Sequence, residues 1–526
     1  MSGPSLYQEF EKSVRAHADR IAVGTTAAQI SYGALEQASR EVAMTLLQWG
    51  VARGDRIAIW GVNSAEWIIA ALAIQAVGAV LVPIGTRLRG RETRGILEES
   101  DAAIIFCDRR FGDYDYVAAL QEMDGRELRR IVVLDQEQQD AGVVTGFTQT
   151  RAAGSQGDQA ALDRRIAQGD GDDLADIIFT SGTTGKPKGV PMTCAQSLAA
   201  CHAQQEDISG FTPEDVIAVT FPFAHNAGYR AGWQVALLYG VRVLPISVID
   251  PAALLRLIEA ERITYLPTVV AVAQGLIAHP DRDKCDLSSL RLVATGGTTI
   301  PVKLVEDLLR HLNSGTVVQS GYGLTETAGS VTATRADDAP EIIVSTVGRP
   351  LRSLEVRILN PEGQEVPRGE TGEIAVRGPQ VLTSYYNDPV ATAAAFTPDG
   401  FLLTGDAGAF DDGGHLRITD RIKDMYLVGG FNCYPAEIEH VMRQMAGVDQ
   451  VAVIGVDDER LGQVGKAFVV RSADSTISAE EIIAWCRNEM ANYKVPRSVH
   501  FLDAMPLNGT GKIAKTDLRA LTESKA

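Results

Sequence analysis

The chain has 526 residues, 45% of them hydrophobic and 22% charged, with a formal net charge of −18. That length exceeds one compact core and predicts two or more domains, and the composition is that of a globular protein rather than a fibrous or disordered chain. The acidity argues against a nucleic-acid binder, which needs a basic face, and it means that an anionic ligand must be met by local cations and backbone N–H groups.

The opening, Met1 to Arg20, lacks the apolar core of a secretory signal. Residues Asp55 to Trp60 read as a strand. Trp67 to Ile84 is long enough to suggest a membrane span. Gln75, Gly78 and Pro83 interrupt it, so a core helix followed by a buried strand at Val80–Val82 is expected, and no transmembrane segment. Ala103 to Cys107 is a further strand. Ala152 to Asp173 is polar and reads as a surface linker into the strand Ala175–Phe179. A helix over Pro251–Ala260 precedes extended residues Ile263–Leu266. This alternation predicts a layered α/β architecture. The tail differs. Ile438, Val441, Met442 and Met445 fall at helical spacing, Val451–Val456 is a strand, and Ser478 with Glu481 forms a capping box for a helix through Cys486. A small α+β domain from about Ile422 to Ala526 is expected. The six cysteines, Cys107, Cys194, Cys201, Cys285, Cys433 and Cys486, show no CxxC pair and no zinc spacing, which predicts reduced thiols and a cytoplasmic location.

The most informative segment is Thr180-Ser181-Gly182-Thr183-Thr184-Gly185-Lys186-Pro187-Lys188-Gly189. Three glycines allow close backbone approach, while hydroxyls and lysines supply donors and positive charge, a combination that suits polyphosphate. It is not a Walker A loop, whose GxxxxGK[ST] pattern cannot be laid on these residues.

This loop resembles the phosphate loop of the adenylate-forming superfamily, which includes acyl-CoA synthetases, luciferases and peptide-synthetase adenylation domains. The similarity runs over nearly the whole chain, with the motifs in the family's order. It implies a large N-terminal layered α/β domain over residues 1–421, with two packed sheets, helices and a β-barrel-like subdomain, that holds ATP and the acyl pocket. It also implies a small mobile C-terminal α+β domain over 422–526.

Further motifs carry the resemblance residue by residue. Gly321-Tyr322-Gly323-Leu324-Thr325-Glu326 is similar to the second signature, which implies that Tyr322 and Gly323 meet adenine, Thr325 the α-phosphate, and Glu326 Mg2+. Thr404-Gly405-Asp406 resembles the ribose-binding turn, with Asp406 accepting from two hydroxyls and Arg421 assisting. Lys423 would be the hinge between the domains, and Gly430 the glycine that lets pantetheine pass. Pro506 to Lys512 resembles the closing motif, with Lys512 as catalytic lysine; Thr184 and Glu326 join it in the adenylation step. His225, in Phe221-Pro222-Phe223-Ala224-His225-Asn226-Ala227-Gly228, would border the acyl pocket and gate CoA.

The implied activity is carboxylate–CoA ligation. A carboxylate attacks the α-phosphorus of ATP, pyrophosphate leaves, and CoA then displaces AMP from the acyl-adenylate. The expected partners are a small carboxylic acid, ATP, CoA and Mg2+; assembly as a homodimer is left open. In the family resembled, members that activate amino acids carry an aspartate early in this segment to pair the ammonium; Phe221 to Tyr229 contains no acidic residue, so the resemblance disfavours an amino-acid substrate, whose buried ammonium would stay unpaired. The expected pocket walls are Phe223, Gly228, Thr295, Gly296, Gly297 and Ser320, which suit a fatty or alicyclic acid. Arg230 is open between a contact to the substrate or a CoA phosphate and a surface salt bridge. Asn226-Ala227-Gly228-Tyr229-Arg230-Ala231-Gly232 and Lys423 to Glu439 resemble ligases that activate propanoate side chains on partly degraded steroid rings. The rival activities are loading of a carrier protein, a non-catalytic binding role, and luciferase-type oxidation.

Overall fold

The structure, a computed structural model, describes residues 3–123, 128–135, 142–180, 188–296, 300–312, 315–421, 424–428, 431–458, 460–490, 492–507 and 513–523. Two compact units emerge, Met1–Val356 with Val376–Leu402, and Arg357–Ala375 with Leu403–Ala526.

The first unit is built on two seven-stranded sheets. In spatial order one runs Val317–Gln319, Leu292–Gly296, Tyr265–Val269, Val216–Val219, Arg242–Pro245, Ile21–Thr25 and Ala28–Ser31. The other runs Val144–Gly146, Arg130–Val133, Ile104–Cys107, Arg56–Trp60, Val80–Ile84, Leu174–Thr180 and Lys188–Thr193. The two orders match around the switch point, while the hairpin at the edge comes first in the chain in one sheet and last in the other. In each, six strands are parallel and the last is antiparallel to its neighbour. Each therefore has a topological switch point, where successive crossovers leave in opposite directions and ligand crevices form at the carboxyl ends of the strands.

Strand alternation sorts side chains into layers. Ile57, Ile59, Ile217, Val219 and Val243 enter one shared core, while Ala58 and Trp60 face a second core and Ala218 and Leu244 a third. The shared core holds the helices Leu6–His17, Tyr32–Gln48 and Ala65–Ala76, so the sheets pack through a helical layer rather than face to face. Helix Ala65–Ala76 is buried from Trp67 to Ala76, which explains its apolar residues on every side. Ser64 caps it by accepting from the Trp67 N–H. The strand Val80–Ile84 comes next, as expected. Among the described residues no helix is long and apolar enough to cross a membrane.

The polar stretch at 152–173 is not a linker. Helix Phe147–Gly154 runs into it and helix Gln159–Ala167 occupies its middle, capped by Asp158, which accepts from the Ala161 N–H. Leu162 and Ile166, one turn apart, are buried in the shared core. Two apolar residues make too thin a stripe to reveal an amphipathic helix by pattern.

The second unit carries most of a four-stranded sheet, Glu355–Leu359, Gly372–Arg377, Leu402–Phe410 and Leu416–Arg421. It also carries a five-stranded sheet centred on the long hairpin Val448–Asp458 and Gly462–Arg471. Helices Pro435–Met442, Ala479–Glu489 and Lys515–Glu523 accompany it. The Ser478–Glu481 capping box is present. Ile438 and Met442 enter the core; the helix stops at Met442, and Met445 packs from the turn beyond.

Candidate functional site: an adenylate-forming centre

In the first unit the glycine-rich loop joins two strands of one sheet. Thr180 pairs with Lys188 at its base, and Ser181, Gly182, Thr183, Thr184, Gly185, Lys186 and Pro187 lie outside the described residues. A strap from Val381 to Tyr386 lies beside the loop. The Tyr386 N–H donates to the Gly189 carbonyl at 2.9 Å, and Gln196 holds the Val381 carbonyl at 2.7 Å. Gly189 has to be glycine here, because a Cβ would sit 2.9 Å from Tyr386 Cβ and 3.1 Å from Ile177 Cγ2. The Lys188 ammonium lies 5.0 Å from the centre of the Tyr385 ring, within cation–π range.

The same strap grips the second motif. Leu382 N–H donates to the Glu326 carbonyl at 2.7 Å, and the Tyr385 hydroxyl donates to Glu326 Oε1 at 3.0 Å. Burial, with the nearby Glu326 carboxylate, pushes the Tyr385 hydroxyl well above its ordinary range, so it stays a donor. Gly321–Tyr322 forms a short strand against Thr332–Ala333, and Thr325–Thr327 is a single 3-10 turn. Gly323 allows this close turn; a Cβ there would overlap the Gly329 carbonyl at 1.5 Å. Lys188, Tyr385 and Glu326 thus converge. Tyr385 was not legible from sequence, since an aromatic pair in a polar stretch carries no sign of a partner far along the chain.

The third element is the segment after the strand Val216–Val219. His225 is exposed, its ring 6.5 Å from that of Phe221, and its carbonyl accepts from the N–H groups of Gly228 and Tyr229. Phe223 is corrected as a pocket wall. It is fully buried, 5.4 Å from the Trp67 ring centre, because its strand exit turns it into the shared core. Gly228 follows on the same segment. It serves a tight turn, in which a Cβ would meet the Pro222 carbonyl at 2.3 Å.

Arg230 is neither a substrate contact nor a surface salt bridge. It is 1% exposed and binds both oxygens of Asp176 at 2.5 Å, Ser197 Oγ at 3.0 Å, and Asn226 Oδ1. Asp176 lies on the strand that leads into the glycine loop, and Asn226 Nδ2 reaches the Thr325 carbonyl at 3.4 Å. The cation is therefore spent on fastening three site segments together. The signal for it was Asp176 itself, a carboxylate inside the apolar run Ala175–Phe179, which burial forces to be paired.

Thr295 and Gly296 end their strand and Ser320 follows the end of the next, as neighbours at the carboxyl edge of the sheet. A Cβ at Gly296 would meet only the Gly321 carbonyl, at 3.5 Å. Gly297 lies outside the described residues.

The second unit holds the turn Thr404-Gly405-Asp406. Thr404 Oγ1 donates to the Ile374 carbonyl at 2.7 Å and accepts from the Asp406 N–H at 3.2 Å. Gly405, at φ +72°, donates its N–H to Glu373 at 3.0 Å. Burial and then the Asp406 charge hold the Glu373 carboxyl above its usual range, against the pull of the Gly405 N–H. Asp406 and Arg421 are direct cross-strand partners along the backbone. The Arg421 side chain, Lys423, Gly430 and Lys512 lie outside the described residues. Leu507 and Ile513, which bracket the closing motif, bridge to each other.

The family signature described as "AMP-binding enzyme" matches residues 10–386. The chain belongs to this family. The signature "AMP-binding enzyme C-terminal domain" matches residues 437–512. Two relatives bear the name "3-[(3aS,4S,7aS)-7a-methyl-1,5-dioxo-octahydro-1H-inden-4-yl]propanoyl:CoA ligase". The one from Rhodococcus jostii is 39% identical, covering 97% of each chain, and the one from Mycobacterium tuberculosis is 42% identical, covering 93% of each. A solved anthranilate CoA ligase in complex with anthranoyl-AMP shares the fold, with a TM-score of 0.85 over 99% of this chain and 98% of its own, at 23% identity. This AMP-binding enzyme is an acid–CoA ligase of the adenylate-forming superfamily, and ATP and CoA are its substrates.

Proposed function

We propose that the enzyme activates an alicyclic acid carrying a propanoate side chain on a fused ring system, of the kind left by partial steroid degradation. The observation that carries this reading is the 39% to 42% identity, over nearly whole chains, to two ligases named for such a substrate. The absence of any acidic residue from Phe221 to Tyr229 supports it, since an amino acid would leave its ammonium unpaired.

Within this reading, the glycine loop from Thr180 to Lys188 cradles the phosphates of ATP, Tyr322 and Gly323 meet the base, and Thr325 meets the α-phosphate. Asp406 and Arg421 hold the ribose. The donor set around Glu326 fits Mg2+, which takes one or two carboxylates together with substrate phosphate oxygens. Glu326 would hold it with one oxygen while Tyr385 occupies the other. Bound with ATP, Mg2+ would offset the charge that builds up during attack. Thr184 and Lys512 supply the remaining stabilisation, and preorganised groups of this type carry much of the catalysis. His225, Thr295, Gly296, Gly297 and Ser320 border the acid. Residues 422–526 then turn about Lys423, withdrawing Lys512 and bringing Gly430 to the pantetheine arm. Cysteines without disulfides support a cytoplasmic location.

The test is a panel of acids, with ATP, Mg2+ and CoA, read by pyrophosphate and thioester formation. Ring-bearing propanoates should give the highest kcat/KM. Preference for straight-chain acids, or thioester formed only on a carrier protein, overturns the reading. Lys512→Ala should slow adenylation on the order of 10² to 10³-fold and spare thioester formation from preformed acyl-AMP. Equal loss in both half-reactions removes that role from Lys512.

A further inference from the structure

The two sheets of the first unit have the same strand order around their switch points but use those points differently. In one sheet the chain leaves Val219 at the switch point and runs into the segment that bears His225. In the other, the corresponding exit is Gly61-Val62-Asn63, after the strand Arg56–Trp60. That crevice is closed. The buried Asp108 carboxylate accepts from the Val62 N–H at 2.6 Å, and a Cβ on Gly61 would meet Asp108 Oδ2 at 3.1 Å.

Asn63, two residues past Gly61, reaches across to the first sheet. It is 6% exposed. Its Nδ2 donates to the Val219 carbonyl at 3.1 Å, the Phe221 carbonyl at 2.8 Å and the Ile246 carbonyl at 3.2 Å. Its Oδ1 accepts from the Phe223 N–H at 2.8 Å. One amide thereby fastens the carboxyl ends of two adjacent strands and both sides of the turn at Pro222. His225 comes directly after, its N–H donating to the Pro222 carbonyl at 3.0 Å. Strand pairing supplies only part of this set, the Val219 carbonyl also accepting from the Ile246 N–H at 3.2 Å; the groups past the strand ends lose their ladder partners and must be satisfied by side chains or water.

We propose that Asn63 is a positioning residue for the acyl side of the active site. It sets the height at which the segment Phe221–Gly228 leaves the sheet, and through it the place of His225 against the acid. The phosphate side has a fastening of its own in the strap at Tyr385, and Arg230 ties this segment to it only through Asn226. Asn63 therefore acts chiefly on capture of the acid rather than of ATP. The inference rests on the reading that this segment borders the acid.

The test compares Asn63→Ser and the nearly isosteric Asn63→Asp, which keeps the acceptor for Phe223 N–H but loses the donors, with His225→Ala as reference. Melting temperature, and KM for acid and for MgATP in pyrophosphate exchange, are measured on the full chain. Both Asn63 variants should raise the KM of the acid, lowering kcat/KM for it on the order of 10²-fold, the scale of an ångström misplacement. KM for ATP should stay within about twofold, the split expected when only one substrate's contacts move. A lower melting temperature with unchanged acid KM, or acid and ATP KM rising together, overturns the proposal. If His225→Ala leaves the acid kinetics untouched, the reading of the segment fails instead. If His225→Ala alters them while the folded Asn63 variants do not, the segment stands and the role of Asn63 falls.

Discussion

At the scale of single residues, the site is defined by side chains that hold other groups in place. Tyr385 is the plainest case. Its hydroxyl takes one oxygen of Glu326, which leaves the carboxylate aimed rather than free to rotate. Tyr385→Phe removes that hydrogen bond and little else. A hydrogen bond to a charged group contributes about 1.5 kcal/mol or more, so adenylate formation should slow roughly tenfold and need more Mg2+ for half-maximal rate. Thioester formation from preformed acyl-AMP should not change. Pyrophosphate exchange across a Mg2+ titration, set against the isolated second step, measures both. Arg230 and Asp176 work on the same principle at greater depth. A buried pair of this kind costs several kcal/mol to break from one side, so its value to the enzyme lies in the geometry it enforces on Asn226 and Thr325.

At the scale of elements, the closed switch point has a measurable cost. Burial pushes the Asp108 carboxyl from 3.8 up to about 7, with Asp135 and Glu66 adding to the effect and the Val62 N–H opposing it. A raised carboxyl favours the folded state while protonated and loses that contribution as pH climbs from about 4 through 7. Asp108→Asn keeps an acceptor for Val62 and removes the penalty. It should raise the melting temperature at pH 8, with a gain on the order of 4 kcal/mol as the upper bound, and bring little change near pH 4. Thermal melts of both proteins across that range decide it, and an equal shift at every pH would show that burial of the charge is not the cause. Elements of this kind also show what a sequence can and cannot convey. The helix and strand across Trp67–Ile84, the strand Ile104–Cys107 and the Ser478 capping box were legible because periodicity and capping are local. The helix Gln159–Ala167 was not, because its apolar face is two residues wide. Arg230 is hidden from sequence for a different reason. Its partner Asp176 lies 54 positions earlier, and only the fold brings them within 2.5 Å. The motifs that carry the chemistry were legible as motifs. The strap that aligns them was not, since Tyr385 meets Glu326 across 59 positions of sequence.

At the scale of the whole molecule, the enzyme divides its proposed machinery between two units. Glu326, Lys188 and His225 stand in one, and Asp406 with the strand ending at Arg421 in the other. Just past the proposed hinge, Asp424 accepts from Arg519 on the final helix at 3.0 Å, so the chain beyond Lys423 is anchored to its own domain. Lys423→Pro fixes φ near the value of a rigid turn. It should leave adenylation within about threefold and slow CoA transfer at least tenfold, as expected when a domain rotation is restrained. Stopped-flow measurement of the two half-reactions tests this, and undiminished CoA transfer would count against the hinge.

The parallel strand order of the two sheets bears on how the chain is made. The hairpin Ile21–Ser31 closes one edge of its sheet by pairing Val23 with Val243, so its partner strand is far from it in sequence. During synthesis from the amino end, the sheet holding Arg56–Trp60 has every one of its strands once Thr193 has emerged. The early hairpin at that moment has no mate, and its open edge waits for the segment around Arg242 to leave the ribosome. Contacts of such long reach form late, and an unmatched edge is the surface through which nascent chains stick to one another. Protection of that edge by a chaperone is thus most needed while the middle third of this protein is being translated.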